Sequence, residues 1–214
     1  MKWLKRRLPY VFDRLLIGQE RCRIPIFPLN TVLYPQGLLP LRIFETRYMN
    51  MVKACMKDSL PFGICLIRTG AETGATAMPF QVGTLATIAD WDMPQLGLLN
   101  ITAKGAQRFF IESADVMDDG LMVAEVSMIP AEPPCLVSEE YAFCATVFDT
   151  ILQEVGEMRF SRPMHPEQMS WLGYRLAESL PLKAAAKQDM LEMNDSEIRL
   201  KILLAFLRRQ GVYG

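Results

Sequence analysis

The chain has 214 residues, half of them hydrophobic and 22% charged, with a formal charge of −1. That length buries a real core in one large or two small domains, and the composition excludes a disordered or fibrous chain. Near-neutrality excludes a global electrostatic pull toward nucleic acid or membrane, and no uninterrupted apolar run approaches the roughly 18 to 20 residues of a membrane span.

The charge is unevenly placed. Residues 1–23 hold Lys2, Lys5, Arg6, Arg7, Arg14, Arg21 and Arg23 against Asp13 and Glu20, a balance of +5 that leaves −6 for the rest. Trp3, Leu4, Leu8, Val11, Phe12, Leu15 and Leu16 recur there at helical spacing, which predicts a basic amphipathic extension that restarts at Pro9. Its expected role is packing on the helical half, with a partner contact and an anionic membrane surface as alternatives. The segment lacks the continuous apolar core of a signal peptide.

Ile24 to Tyr48, "IPIFPLNTVLYPQGLLPLRIFETRY", is apolar yet carries Pro25, Pro28, Pro35 and Pro40. Proline lacks an N–H and is confined to edge strands and loops, so the stretch reads as chain wrapping a small β barrel. Glu45 to Asp58 reads as a helix with Tyr48, Met51, Val52, Cys55 and Met56 on one face. "FGICLI" (62–67) reads as a strand buried on both sides, and "GAETGATA" (70–77) as a polar loop. Strands are expected at 82–89, 98–103, 108–113 and 121–129. Their connections are a turn-rich "DWDMPQLG" (90–97), a corner at Lys104-Gly105 and the hairpin signal "DDG" (118–120).

At "PAEPP" (130–134) the period changes from two to three and four. Helices are expected at 139–155, from Pro166 to near Pro181, at 183–193, and from Asn194 or Asp195 to Arg209. The last should bury Ile198, Ile202, Leu203 and Phe206. The expected fold is α+β, with a β-rich half at 24–130 and a helical half at 136–210.

Candidate chemistry is sparse. The one histidine, His165, sits in a helix-entry loop, and five cysteines at 22, 55, 65, 135 and 144 show no CxxC spacing. Together they supply no zinc set and point to reduced thiols in a cytoplasmic protein. No phosphate loop and no nucleophile elbow is present, so neither an enzyme nor a cofactor is expected. Asp90 and Asp92 read as solvated turn residues rather than an acid/base pair. Large apolar groups in turn-rich segments single out Met78, Phe80, Trp91 and Met93 as candidate client-binding residues. Arg42, Glu45 and Arg47 are either a recognition groove or, as the favoured reading, local partners at a barrel-to-helix junction.

The Ile24–Tyr48 stretch, the helix "MNMVKACMK", "VGTLATI" (82–88), "LLNITAKGAQRFFI" (98–111) and "LPLKAAAKQDMLEMNDSEIRLKILLAFL" (180–207) resemble the N-terminal substrate-binding domain of Lon-type ATP-dependent proteases. The likeness covers about residues 24–208. It implies a PUA-like pseudo-barrel followed by a helical bundle. It also implies a non-catalytic module of protein quality control that binds unfolded or exposed polypeptide segments, working with a protease or chaperone. The family's ATPase and Ser-Lys peptidase modules have no counterpart in this sequence, so those activities are not expected. RNA binding, known of other PUA-like barrels, is the alternative. The −6 of residues 24–214 and the lack of a basic stripe speak against it.

Overall fold

The computed structural model describes residues 21–74 and 77–212, so the expectation for residues 1–20 lies outside the described residues. The strands are β1 (Arg21–Leu29), β2 (Leu38–Ile43), β3 (Phe62–Thr69), β4 (Met78–Pro79), β5 (Val82–Gln95), β6 (Leu98–Val116) and β7 (Met122–Met128). The helices are α1 (Thr46–Asp58), α2 (Ala142–Val155), α3 (Met169–Ser179), α4 (Ala184–Glu192) and α5 (Ser196–Arg209). The expected α+β architecture is present.

The sheet runs β1-β7-β6-β5-β3-β4, and an additional β1–β3 pairing closes β1, β7, β6, β5 and β3 into a ring. The β1–β3 pair is parallel, whereas the other pairings are antiparallel. The prolines sit where the ring has room for them. β1 changes partner midway, so that Arg21–Ile26 pair with β7 and Ile26–Leu29 with β3. Pro25, opposite Val123, and Pro28, opposite Cys65, therefore each lie in a half-strand with a single neighbour. Pro40 lies in β2, which pairs only with β6. A missing N–H in such places costs no ladder bond when it faces the open side. Arg21 to Arg23, assigned from sequence to the extension, form the first rungs of β1.

Two expected strands and the corner between them are one strand. β6 is continuous through Lys104-Gly105, and Gly105 is where the β1–β2 loop presses against it. Gly105 N–H donates to Gly37 O at 2.9 Å, and Gln36 N–H donates to Gly105 O at 2.8 Å. The "DWDMPQLG" stretch is likewise strand up to Gln95, and only Leu96-Gly97 turns, with Gly97 at φ +87. β5 and β6 thus form a long hairpin arm beyond the ring. β2 lies along the arm's β6 side, making a three-stranded sheet in the order β2-β6-β5.

Helix α1 covers the inner face of that sheet. Tyr48, Met51, Val52 and Cys55 pack with Phe27, Ile43, Leu99 and Ile101, and the Phe27 and Tyr48 rings stack at 4.0 Å. Ser59, at φ 53, ends the helix in the left-handed conformation. The helical half packs around Tyr141, Cys144, Phe148, Trp171, Leu172, Leu176, Leu200 and Leu203, and its core includes Val32, Tyr34 and Leu66 from the barrel side.

Helix α5 begins where expected but faces differently. Asp195 caps it, accepting from Glu197 N–H at 2.9 Å and Ile198 N–H at 3.0 Å. Asp195→Ala should cost about 1 kcal/mol, read as a lowered urea midpoint at unchanged slope. Its buried face is Arg199, Leu200, Leu203, Leu204 and Leu207, while Ile198 and Ile202 are exposed. Arg199 turned the helix: apolar periodicity alone puts an arginine outside, but here a carboxylate awaits it inside.

That carboxylate belongs to Glu132, in the link from β7 to the helices. Arg199 donates to it through Nη1 at 3.0 Å and Nη2 at 2.6 Å, and Tyr174 Oη donates at 2.7 Å. The Arg199 guanidinium lies 4.1 Å from the Tyr174 ring centre. From β6, Arg108 donates to Leu191 O at 2.7 Å, Met193 O at 2.8 Å and Asn194 Oδ1 at 2.8 Å. Barrel and bundle are thus joined through a buried polar seam.

Candidate functional site

The arm and β2 build two different faces. Across the three strands the register aligns Arg42 with Asn100 and Asp92, and Pro40 with Thr102 and Asp90. These residues point outward, and a groove of about 720 Å³ lies over them. The opposite rows, Ile43 with Leu99 and Leu41 with Ile101 and Trp91, face α1. Between Ile88 and Asp90 the β5–β6 register shifts, so Ile88 and Trp91 face the same side despite their odd separation.

The far end of this sheet is apolar and exposed. Leu96, at the turn, is 98% exposed, Phe44 is 59% and Trp91 54%, with Met93 also exposed. Phe44 follows the Ile43–Leu99 pair and so lies at the turn end of the sheet. A second groove, about 230 Å³, follows the other side of β2 between Leu39, Leu41, Phe44 and Tyr48.

The structure brings some expected residues together and separates others. Trp91 and Arg42 share the arm sheet and both border the larger groove, although they stand in opposite rows of it, and Met93 lies on the same arm. Met78 and Phe80 are at the other end of β3: β4 pairs with Ile67 and Thr69, whereas β5 leaves β3 at Phe62. Phe80 is half-buried against the helical core, and Met78 is exposed with its sulfur 3.5 Å from Arg68 Nη2. Both stand in or beside β4 rather than in an open loop. Glu45 and Arg47 form the local pair that the favoured reading anticipated. Arg47 Nη2 is 3.0 Å from Glu45 Oε2, Nη1 donates to Gly120 O at 2.9 Å, and the guanidinium lies 4.6 Å from the Tyr48 ring centre. Arg47 is buried and clips α1 to the β6–β7 turn. Sequence reasoning missed Phe44 and Leu96. The signal for Leu96 was its place before the turn glycine; Phe44 had none, since an apolar residue ending an apolar strand looks like core.

The four buried thiols, Cys22, Cys55, Cys65 and Cys144, are poorly placed for nucleophilic work. Burial, with Asp58 adding to it, pushes the Cys55 thiol up to about 12, and burial pushes Cys144 up to about 11 despite the opposing Arg208. His165 is half-buried, with Nδ1 3.2 Å from Glu167 Oε1. Among the described residues no three His, Cys, Asp or Glu side chains are grouped to hold a metal. No described helix is long and apolar enough to cross a membrane.

The family model of the ATP-dependent protease La (LON) substrate-binding domain matches residues 23–209. The Lon proteases of Escherichia coli K12 and of Buchnera aphidicola from Schizaphis graminum are 27% and 25% identical to the chain, over 89% of it. The chain spans 25% of the length of each. The solved Lon N-terminal domain protein from Xanthomonas campestris superposes with a TM-score of 0.72 at 34% identity, covering 86% of this chain and 97% of that one. The N-terminal domain of the Mycobacterium avium complex Lon protease, at 18% identity and a TM-score of 0.61, shares the fold over 86% of this chain and 96% of its own. A barrel closed by β1, a hairpin arm backed by α1 and a bundle seamed to the barrel are therefore the form taken here by a member of the Lon substrate-binding domain family.

Proposed function

We propose that this chain is a non-catalytic module that binds unfolded or exposed polypeptide segments at the arm sheet. The observation that carries the reading is the set of large apolar side chains left in water along this sheet, Leu96, Trp91 and Met93 on the arm and Phe44 at the end of β2. In this reading the strand-rich part, residues 24–130, presents the surface and the helical part, residues 136–210, braces it. The grooves beside β2 accommodate side chains of an extended client, and Arg42 orients it. Binding energy at such surfaces concentrates in a few large side chains set among polar neighbours.

The test is fluorescence anisotropy with a reduced, carboxymethylated protein that cannot fold, with single-stranded RNA as a parallel probe at two salt concentrations. The unfolded protein should bind, and combining Phe44→Ser with Leu96→Ser should weaken it about tenfold or more. RNA binding that falls steeply with salt, with no polypeptide binding, overturns the proposal. Trp91→Ala should weaken client binding while lowering stability by only about 1 to 1.5 kcal/mol, because about half of the residue is already in solvent. A large drop in melting temperature at unchanged affinity assigns Trp91 to packing instead.

A further inference from the structure

Beyond Ala86, β5 has a strand neighbour on one side only. β3 pairs with Thr84, Leu85 and Ala86 and then ends, and among the described residues no strand pairs with Thr87–Gln95 on that side. The open edge is two-faced. On its inner side, a groove of about 360 Å³ runs between β5 and the C-terminal end of α1, with Met56, Leu60, Ile88 and Trp91 in its walls. On its outer side, Asp90 and Asp92 project into solvent.

An open strand edge offers backbone N–H and C=O groups to another chain, and side chains of an added strand alternate between its two faces. We infer that the open edge of β5 takes up an extended polypeptide segment as an added strand, selecting segments in which apolar residues alternate with lysine or arginine. The apolar residues enter the groove beside Trp91 and Met56, and the cations meet Asp90 and Asp92. Charges on an edge strand ordinarily discourage pairing. Here both carboxylates lie on the outer face and the inner face is apolar, so the edge discriminates by charge rather than refusing every partner. The same two carboxylates disfavour a second copy of this chain edge to edge, since like charges would be brought together. The inference rests on the polypeptide-binding reading above and adds the mode and the sequence preference.

The experiment uses the full chain and short labelled peptides of one length: alternating leucine and lysine, alternating leucine and glutamate, the leucine–lysine composition in blocks, and the alternating leucine–lysine peptide N-methylated at every second amide. The carboxymethylated protein serves as the reference client. The alternating basic peptide should bind about tenfold tighter than the acidic one. N-methylation in the register facing β5 should abolish binding, and the peptide should slow hydrogen exchange at residues 87–95. Combining Asp90→Asn with Asp92→Asn should erase the charge preference while the alternating pattern still outbinds the blocks. Equal binding of alternating and block peptides, or indifference to N-methylation, overturns the inference and leaves general polypeptide binding standing if the reference client still binds. Loss of binding by every probe overturns both.

Discussion

Glu132→Ala should lower the unfolding free energy by about 3 to 5 kcal/mol. The Glu132 side chain is 4% exposed and faces Arg199 at 0% and Arg108, 3.8 Å away, at 3%. Removing the carboxylate leaves two buried guanidinium groups with no counter-ion, and it also takes the acceptor from Tyr174 Oη. Arg108 keeps its three acceptors at the α4–α5 junction, but Arg199 loses both of its bonds to Glu132. A shift of this size lowers the melting temperature by roughly 10 °C or more in a chain this long. Adding Arg199→Met should recover part of the loss, because the uncompensated charge, rather than the missing pair, carries most of the cost. A Glu132→Ala variant that melts within a degree or two of the parent would show that the seam is not what joins the halves.

Gly105→Ala should be the most disruptive single methyl in the barrel. A Cβ at this position would stand 2.1 Å from the Tyr34 carbonyl oxygen and 3.0 Å from its carbonyl carbon, both backbone atoms. No rotamer change relieves that clash. The loop must lift, and it is held from several directions. Tyr34 Oη donates to Lys187 O at 2.8 Å, Arg175 donates to Pro35 O at 2.9 Å, and Ser161 Oγ donates to Gln36 O at 2.6 Å. Lifting the loop therefore strains the bundle as well as β6. The expected cost is about 3 kcal/mol or more, measured as the change in denaturation midpoint. Gly74→Ala supplies the contrast in proximity, since nothing lies within 4 Å of its Cβ position, although its φ of +87 carries a backbone cost of its own.

Much of the framework was legible in the sequence because it follows from local chemistry. The prolines of the opening stretch excluded central strands, the β-branched run at 82–89 named β5, the alternation at 121–129 named β7, and Asp195 with the apolar residues after it located α5. Where the reading failed, a distant contact outweighed the local pattern. Lys104-Gly105 looked like a corner because glycine usually marks one; the glycine is there because another backbone lies against an unbroken strand. The arm's outer half looked like a turn because Asp90, Asp92 and Pro94 are poor strand formers, yet cross-strand pairing with Asn100 and Thr102 holds it extended. α5 was rotated because its buried arginine is explained only by Glu132, sixty-seven residues earlier. Of the candidate surface, Trp91 and Met93 were readable as large apolar groups among polar neighbours. That Phe44 ends at the turn end of the same sheet depends on the β2–β6 register, which no local pattern encodes.

The partner change within β1 has a consequence for how the chain comes to be folded. β1 belongs to the ring only when it holds both β3 and β7, and its rungs to β7 join Arg21 to Ser127 and Ile26 to Met122. During synthesis the strand that closes the barrel emerges first among the described elements. It must wait for about a hundred further residues before its second partner exists. Closing so long a loop before any contact repays it puts this barrel among slow, non-local folders. In that interval the nascent chain leaves Arg21 to Ile26, with the apolar Cys22, Ile24 and Ile26 among them, without a strand partner. An exposed apolar segment is thus a stage in the making of this protein itself.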